Sequence, residues 1–264
     1  MHAPIIKLHP EEQFFPMDPL LFIQTSRFRH HRGFNVIDAG IDEGFNTETQ
    51  TWDKNNSKDP KYFNVPVDFI NSLTLHSDGR NRRPRDSNAG DDLNVFLQPE
   101  GKPTGHSTPT NNVPVFLFES AGGSHRFLQF WIFFGFNGSL LSHQGDWEDI
   151  TIKVNGDDQV EGAFLSAHGD RPFFPQSELM IENDRVVVFC SRETHAFYPA
   201  PGTHGPIGQD KTAAGGFSWD TAGKVEDLSV QPWRDYAGAW GEVGELVHTT
   251  GPLGPWFKRF DVEI

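Results

Sequence analysis

The chain has 264 residues, with 22 Lys plus Arg against 36 Asp plus Glu, a formal charge of −14. That balance speaks against nucleic acid as a partner, because phosphate-backbone binding needs a basic footprint. Only 36% of residues are hydrophobic, yet 24 Phe and 7 Trp supply large rings for a core, and 26 Gly with 19 Pro predict the frequent turns of a mainly β protein. The single cysteine, Cys190, excludes an intrachain disulfide and reads as a buried structural thiol beside Val186-Val187-Val188-Phe189. No secretory leader and no membrane-length apolar stretch is visible, so the expected compartment is the cytoplasm and no transmembrane segment is expected.

In chain order, Asp18-Pro19 is a helix start, with Asp18 as N-cap and Pro19 at the first helical position, and the spacing predicts a helix to about His30. Residues 34–62 show no clear pattern. Residues 77–92 and 99–112 read as long polar loops, the first carrying the basic run Arg80-Asn81-Arg82-Arg83-Pro84-Arg85. Strands are expected over Val113–Phe118, Phe127–Phe136, Trp147–Val154, Val160–His168 and Arg185–Ser191, joined as antiparallel neighbours by short turns such as Asn137-Gly138. The segment from Pro199 to Ser218 reads as an ordered loop. Trp233, Tyr236, Trp240 and Trp256, interleaved with glycines, read as the cap of a sandwich core, the alternative being an aromatic ligand platform. The fold expected is a mainly β, single-domain β-sandwich over residues 1–264, with long loops and a few short helices.

His143, Asp146 and Glu148 lie within six residues at the head of an apolar strand. Alternation places Asp146 and Glu148 on the face of Ile150, Ile152 and Val154. Two carboxylates there are costly unless something neutralises them, which a divalent cation would do. Carboxylate oxygens suit Ca²⁺, Mg²⁺ or Mn²⁺, and the imidazole moves the preference toward Mn²⁺, Fe²⁺ or Zn²⁺. The alternative is an acid pair bonded within a buried network. His168 and His195 each end a strand and are the candidate proton carriers if the strand ends converge. His204, Tyr198, Asp210 and Asp220 are weaker candidates in the same region. No P-loop, CxxC knuckle, HExxH or Gly-x-Ser-x-Gly elbow occurs.

Several stretches resemble the Vps62-related family. They are Phe130-Trp131-Ile132-Phe133-Phe134-Gly135-Phe136-Asn137, His143-Gln144-Gly145-Asp146-Trp147-Glu148, Thr194-His195-Ala196-Phe197-Tyr198-Pro199 and Gly238-Ala239-Trp240-Gly241 with Gly251-Pro252-Leu253-Gly254-Pro255. A more distant resemblance is to the NPP1-like necrosis-inducing proteins, whose Gly-His-Arg-His-Asp-Trp-Glu heptapeptide matches Ser142–Glu148 at His143, Asp146, Trp147 and Glu148. That resemblance implies a β-sandwich holding a divalent cation through His143, Asp146 and Glu148. The further upstream Asp of that family has no counterpart, since no acid stands between Glu119 and Asp146. Two functions follow as expectations: a metal-binding protein presenting a pocket to a small polar ligand such as a glycan or lipid headgroup, or a metal-assisted hydrolase, lyase or cyclase.

Overall fold

The computed structural model describes residues 2–31, 43–53, 58–72, 94–205, 208–242 and 250–258. The run Arg80–Arg85, His76 and His248 lie outside the described residues. The chain opens with β1 (Ile5–Lys7), α1 (Pro19–Gln24), β2 (Ser26–His31), β3 (Glu43–Asn46), β4 (Thr51–Asp53), α2 (Val67–Ser72) and β5 (Asn94–Pro99). The long strands follow: β6 (Val115–Gly122), β7 (His125–Asn137), β8 (His143–Val154) and β9 (Val160–Leu165). Shorter ones complete the order: β10 (Phe173–Pro175), β11 (Met180–Glu182), β12 (Arg185–Cys190), β13 (Phe197–Tyr198), β14 (Gly202–His204), β15 (Asp210–Thr212), β16 (Ser218–Asp220) and β17 (Val225–Asp227), before α3 (Pro255–Lys258).

The molecule is mainly β, as expected, and its sheets pack face to face. The central sheet runs β10-β9-β8-β7-β6-β17. Its middle strands are buried on both sides, which is why β7 reads as an almost unbroken apolar run. One face carries Phe130, Ile132, Phe134, Ile150 and Ile152 and packs on Ile6, Val186, Val188 and Trp219 of the sheet β11-β12-β1-β16. The opposite face carries Phe116, Trp131, Phe133 and Trp147 and packs on Phe28, Val95 and Leu97 of the sheet β4-β3-β2-β5. Trp233, Tyr236 and Trp240 are wholly buried in this second cluster, so the ring-and-glycine segment caps a core. Each such buried side chain contributes about 1.5–3 kcal/mol relative to exposure.

Three expectations are corrected. The helix from Asp18 ends at Gln24, not near His30, although Asp18 does cap it by accepting from the Leu20 amide at 2.9 Å. Residues 26–31 instead pair along β5, in register from Ser26↔Pro99 to His31↔Asn94. A six-residue helix has little stability of its own, so sheet pairing and burial of Phe28 decide the conformation. Secondly, β12 is antiparallel to its chain neighbours β11 and β13, as expected, but it lies in the facing sheet rather than the central one and also pairs parallel to β1. Its continuous Val-Val-Val-Phe-Cys run suits a strand covered on both faces. Thirdly, residues 199–218 contain the β14–β15 hairpin. Its three-residue strands are too short and polar to show a period.

Candidate functional site

β8 begins at His143, four residues earlier than the apolar pattern indicated, and pairs with β7 from Asn137↔His143 onward. Gly145 interrupts its regular pleat with φ +67°. A Cβ at Gly145 would overlap the Trp240 carbonyl oxygen, so both the backbone angle and the close approach require glycine. This left-handed residue breaks the strict alternation of side chains. His143 thereby comes onto the side of Asp146, with Nε2 3.8 Å from Asp146 Oδ1. The His143 Nδ1 donates to the Leu141 carbonyl at 3.1 Å, which turns the Nε2 edge toward Asp146.

Asp146 is buried and its Oδ2 is fully engaged, accepting from Asn137 Nδ2 at 3.0 Å and from His195 Nδ1 at 2.9 Å. Burial alone would raise the Asp146 carboxyl. The facing His143 and His195 imidazoles outweigh that and hold it well below the usual carboxylate range. His195 is completely buried, stacked on Phe134 with ring centroids 3.9 Å apart, and its Nε2 donates to the Phe14 carbonyl at 2.9 Å. Burial works against its charge, yet the Asp146 hydrogen bond and the charges of Glu12 and Asp146 raise it above the ordinary histidine value. Glu12 lies 3.9 Å from His195 Nε2 and accepts from the backbone amides of Gln13, Phe14 and Glu193. These bonds tie the N-terminal segment and the 193–195 turn to the head of β8.

Glu148 accepts a short hydrogen bond from Ser166 at the end of β9. Burial first, and then the charge of Asp146, push its carboxyl well above the ordinary value, while Lys258 and Ser166 oppose them. Lys258, on α3, donates to the Trp147 carbonyl at 3.3 Å, and burial lowers its ammonium below the usual lysine value. On the other face of β8, Asp149 is satisfied by Arg171 at 2.8 Å, Gln129 at 3.0 Å and Thr151 at 3.2 Å, and its backbone amide donates at 3.0 Å to the Ser166 hydroxyl that bonds Glu148.

Asp210 is the centre of a second cluster. Its completely buried carboxylate accepts from His168 Nε2 at 2.7 Å, Tyr198 at 2.5 Å and Thr194 at 2.6 Å. The bond to Asp210 raises the His168 imidazole, against its partial burial. His168 sits just past β9 at φ +56°, with 44% of its side chain exposed. His204 stacks on Tyr198 at 4.0 Å and bonds to Thr212, so it buttresses this cluster from behind. Asp220 lies elsewhere, paired with Arg185 at 2.6 Å.

One cavity of about 960 Å³ gathers these elements. His143, Asp146, Glu148, His168, Lys211 and Lys258 all line it, so the end of β9 does converge with the head of β8. His195 is not in its lining, and it stands behind Asp146 with both ring nitrogens engaged. Sequence reasoning did not single out Asn137, Glu12 or Lys258. Asn137 was visible only as a turn residue, and Glu12 and Lys258 reach the site from the two ends of the chain, for which no local signal exists.

The donor chemistry of His143 Nε2, Asp146 Oδ1 and the Glu148 carboxylate suits a divalent cation. The mutual repulsion of Asp146 and Glu148 is of the kind a cation relieves. Their present spacing does not make a closed cage: among the described residues, no group of three or more His, Cys, Asp or Glu side chains stands ready to hold a metal ion. Among the described residues, too, no helix is long and apolar enough to cross a membrane.

Partial structural likeness is found to Necrosis and Ethylene inducing Protein 2 from the causal agent of cocoa's Witches Broom disease, with TM-score 0.34 and 14% identity over 50% of this chain and 61% of that one. A second is NLPPya in complex with mannosamine, with TM-score 0.36 and 12% identity over 48% of this chain and 57% of that one. In sequence, the chain is 23% identical over 321 residues to Vacuolar protein sorting-associated protein 62 of Saccharomyces cerevisiae, an alignment covering 98% of this chain. It spans 65% of that relative's length. Residues 110–222, which include the head of β8, His168, His195 and Asp210, match the family described as Vacuolar protein sorting-associated protein 62, and this chain is similar to it over that segment.

Proposed function

We propose that this protein binds a small polar ligand, such as a glycan or a lipid headgroup, in the cavity at the head of β8, with a divalent cation at its acidic end. The observation that carries the reading is the state of Asp146. One oxygen is locked by Asn137 and His195, and the carboxylate is kept ionised although buried in the cavity wall. Such a group is oriented before any ligand arrives, which lowers the ordering cost of binding. His143 and Asp146 would hold the cation, with Glu148 joining them, and the cation would supply charge neutralisation and a binding point for ligand oxygens. In this reading His195, Asn137 and Glu12 position Asp146.

Calorimetric titration with Ca²⁺, Mg²⁺ and Mn²⁺ tests the cation. His143→Ala is the informative variant, because His143 lies at the partly exposed edge and outside the apolar clusters. The expected result is binding by the wild type that the variant loses at unchanged Tm. Equal affinity in the two proteins would remove these residues as ligands.

A second reading, a metal-assisted hydrolase, lyase or cyclase, is favoured by one observation. The His168–Asp210 pair lines the same cavity and resembles an oriented proton carrier. A pH-dependent turnover of glycoside, ester or phosphodiester substrates that His168→Asn abolishes would establish it over simple binding.

A further inference from the structure

The cavity has a second chemical character besides its acid pair. His168, Arg192, Lys211 and Gln209 also line it, and Glu193 is the acid among them, 3.8 Å from Arg192 Nε. Asp210 cannot turn toward a ligand, because it is fully buried and accepts from three side chains at once. Its role toward the cavity is to hold His168 by Nε2, leaving the Nδ1 edge of a half-exposed ring without a hydrogen bond among the described residues. Lys211 forms no ion pair among the described residues, and Arg192 is matched by Glu11 at 3.0 Å, whose side chain is 71% exposed. An exposed pair of that kind is weak and is readily exchanged for a better anion.

Resting on the cavity-binding reading above, we propose that His168, Arg192, Lys211 and Gln209 form an anion subsite that takes a phosphomonoester, the charged end of the ligand. A phosphomonoester carries close to two negative charges at neutral pH and three acceptor oxygens, which matches several cationic donors and an amide better than a carboxylate does. The net charge of −14 gives no broad attraction to anions, so recognition rests on a single phosphate meeting the local basic group in the cavity. Two sources carry this chemistry, a soluble sugar phosphate and the phosphate headgroup of a lipid.

The test is calorimetric titration of the full chain with glucose, glucose 6-phosphate and inorganic phosphate, with and without Mn²⁺, alongside sedimentation with phosphatidylcholine vesicles with and without phosphatidic acid. His168→Asn is chosen because asparagine tolerates the left-handed backbone and removes the charge. Lys211→Gln is an exposed change that leaves folding intact. The expected result is tighter binding of glucose 6-phosphate than of glucose, or binding only to the phosphatidic acid vesicles, with a loss of about tenfold in each variant. Soluble binding assigns a free phosphate ester, and vesicle-only binding assigns a lipid. Equal affinity for glucose and glucose 6-phosphate, unaltered phosphate binding in both variants, or no binding of any phosphate probe overturns the subsite. The cation at the acidic end fails separately: it falls if Mn²⁺ and His143→Ala leave every affinity unchanged while phosphate binding still depends on His168 and Lys211.

Discussion

His195 donates through Nδ1 to Asp146 Oδ2 at 2.9 Å and through Nε2 to the Phe14 carbonyl at 2.9 Å. Both acceptors need a hydrogen, so the ring is an imidazolium and the contact is a buried ion pair. Removing one member strands the other charge. Asp146→Ala is therefore expected to lower stability by about 3–5 kcal/mol, read from urea unfolding at neutral pH. A loss below about 1 kcal/mol would mean that His195 is neutral in the folded state.

Gly145 gives a prediction of a different origin. Its φ of +67° disfavours any L side chain, and a Cβ would overlap the Trp240 carbonyl oxygen. Strain and overpacking together put the cost of Gly145→Ala at about 2–5 kcal/mol. Gly101 has φ +64°, but a Cβ there would meet nothing within 4 Å, so Gly101→Ala carries only the backbone cost of about 1–2 kcal/mol. Chemical denaturation of the two variants should separate them. Equal losses would show that the Trp240 approach relaxes freely.

The contrast between these two groups explains what the sequence made legible. The acid pair was visible because carboxylates heading an apolar strand violate local expectation, and the strand period alone placed Glu148 with Ile150. The convergence of His168 with that strand was not visible, since it depends on β9 running antiparallel to β8 and on a turn at positive φ. Asp146's partners come from residues 137 and 195, and residue 14 holds the second of them, so only a folded chain brings the set together. The short helix after Asp18 failed for a related reason: pairing with β5, more than sixty residues away, outweighed a sound capping signal.

All three tyrosines of the chain should resist ionisation while it is folded. Burial, with Asp53 accepting from the hydroxyl, pushes Tyr62 up to about 12. Burial and Asp210 raise Tyr198, and burial raises Tyr236 well above the ordinary value. Spectrophotometric titration is expected to show no tyrosinate below about pH 11 and a step on unfolding. Tyr62→Phe should remove one transition without altering the others. Ionisation near pH ~10 in the folded protein would contradict the burial of these rings.

The His168–Asp210 pair should be visible as a pH dependence. The histidine is raised in the folded state, so its stabilising effect is complete below the unfolded value of about 6.5 and is lost as pH rises through the folded value. Asp210 is lowered, so its effect is complete above the unfolded value of about 3.9 and is lost as pH falls through the folded value. The pair therefore contributes most from about pH 4 to somewhat above pH 6.5. Because 44% of the His168 side chain is exposed, solvent screening keeps the effect small in stability, and the sharper measurement is the ring's own titration. By NMR, the His168 resonance is expected to titrate above the ordinary histidine midpoint and to shift downward in Asp210→Asn, which keeps an acceptor but removes the charge. An unchanged midpoint in that variant would separate His168 from Asp210 and leave the half-exposed ring without its anchor in the cavity wall.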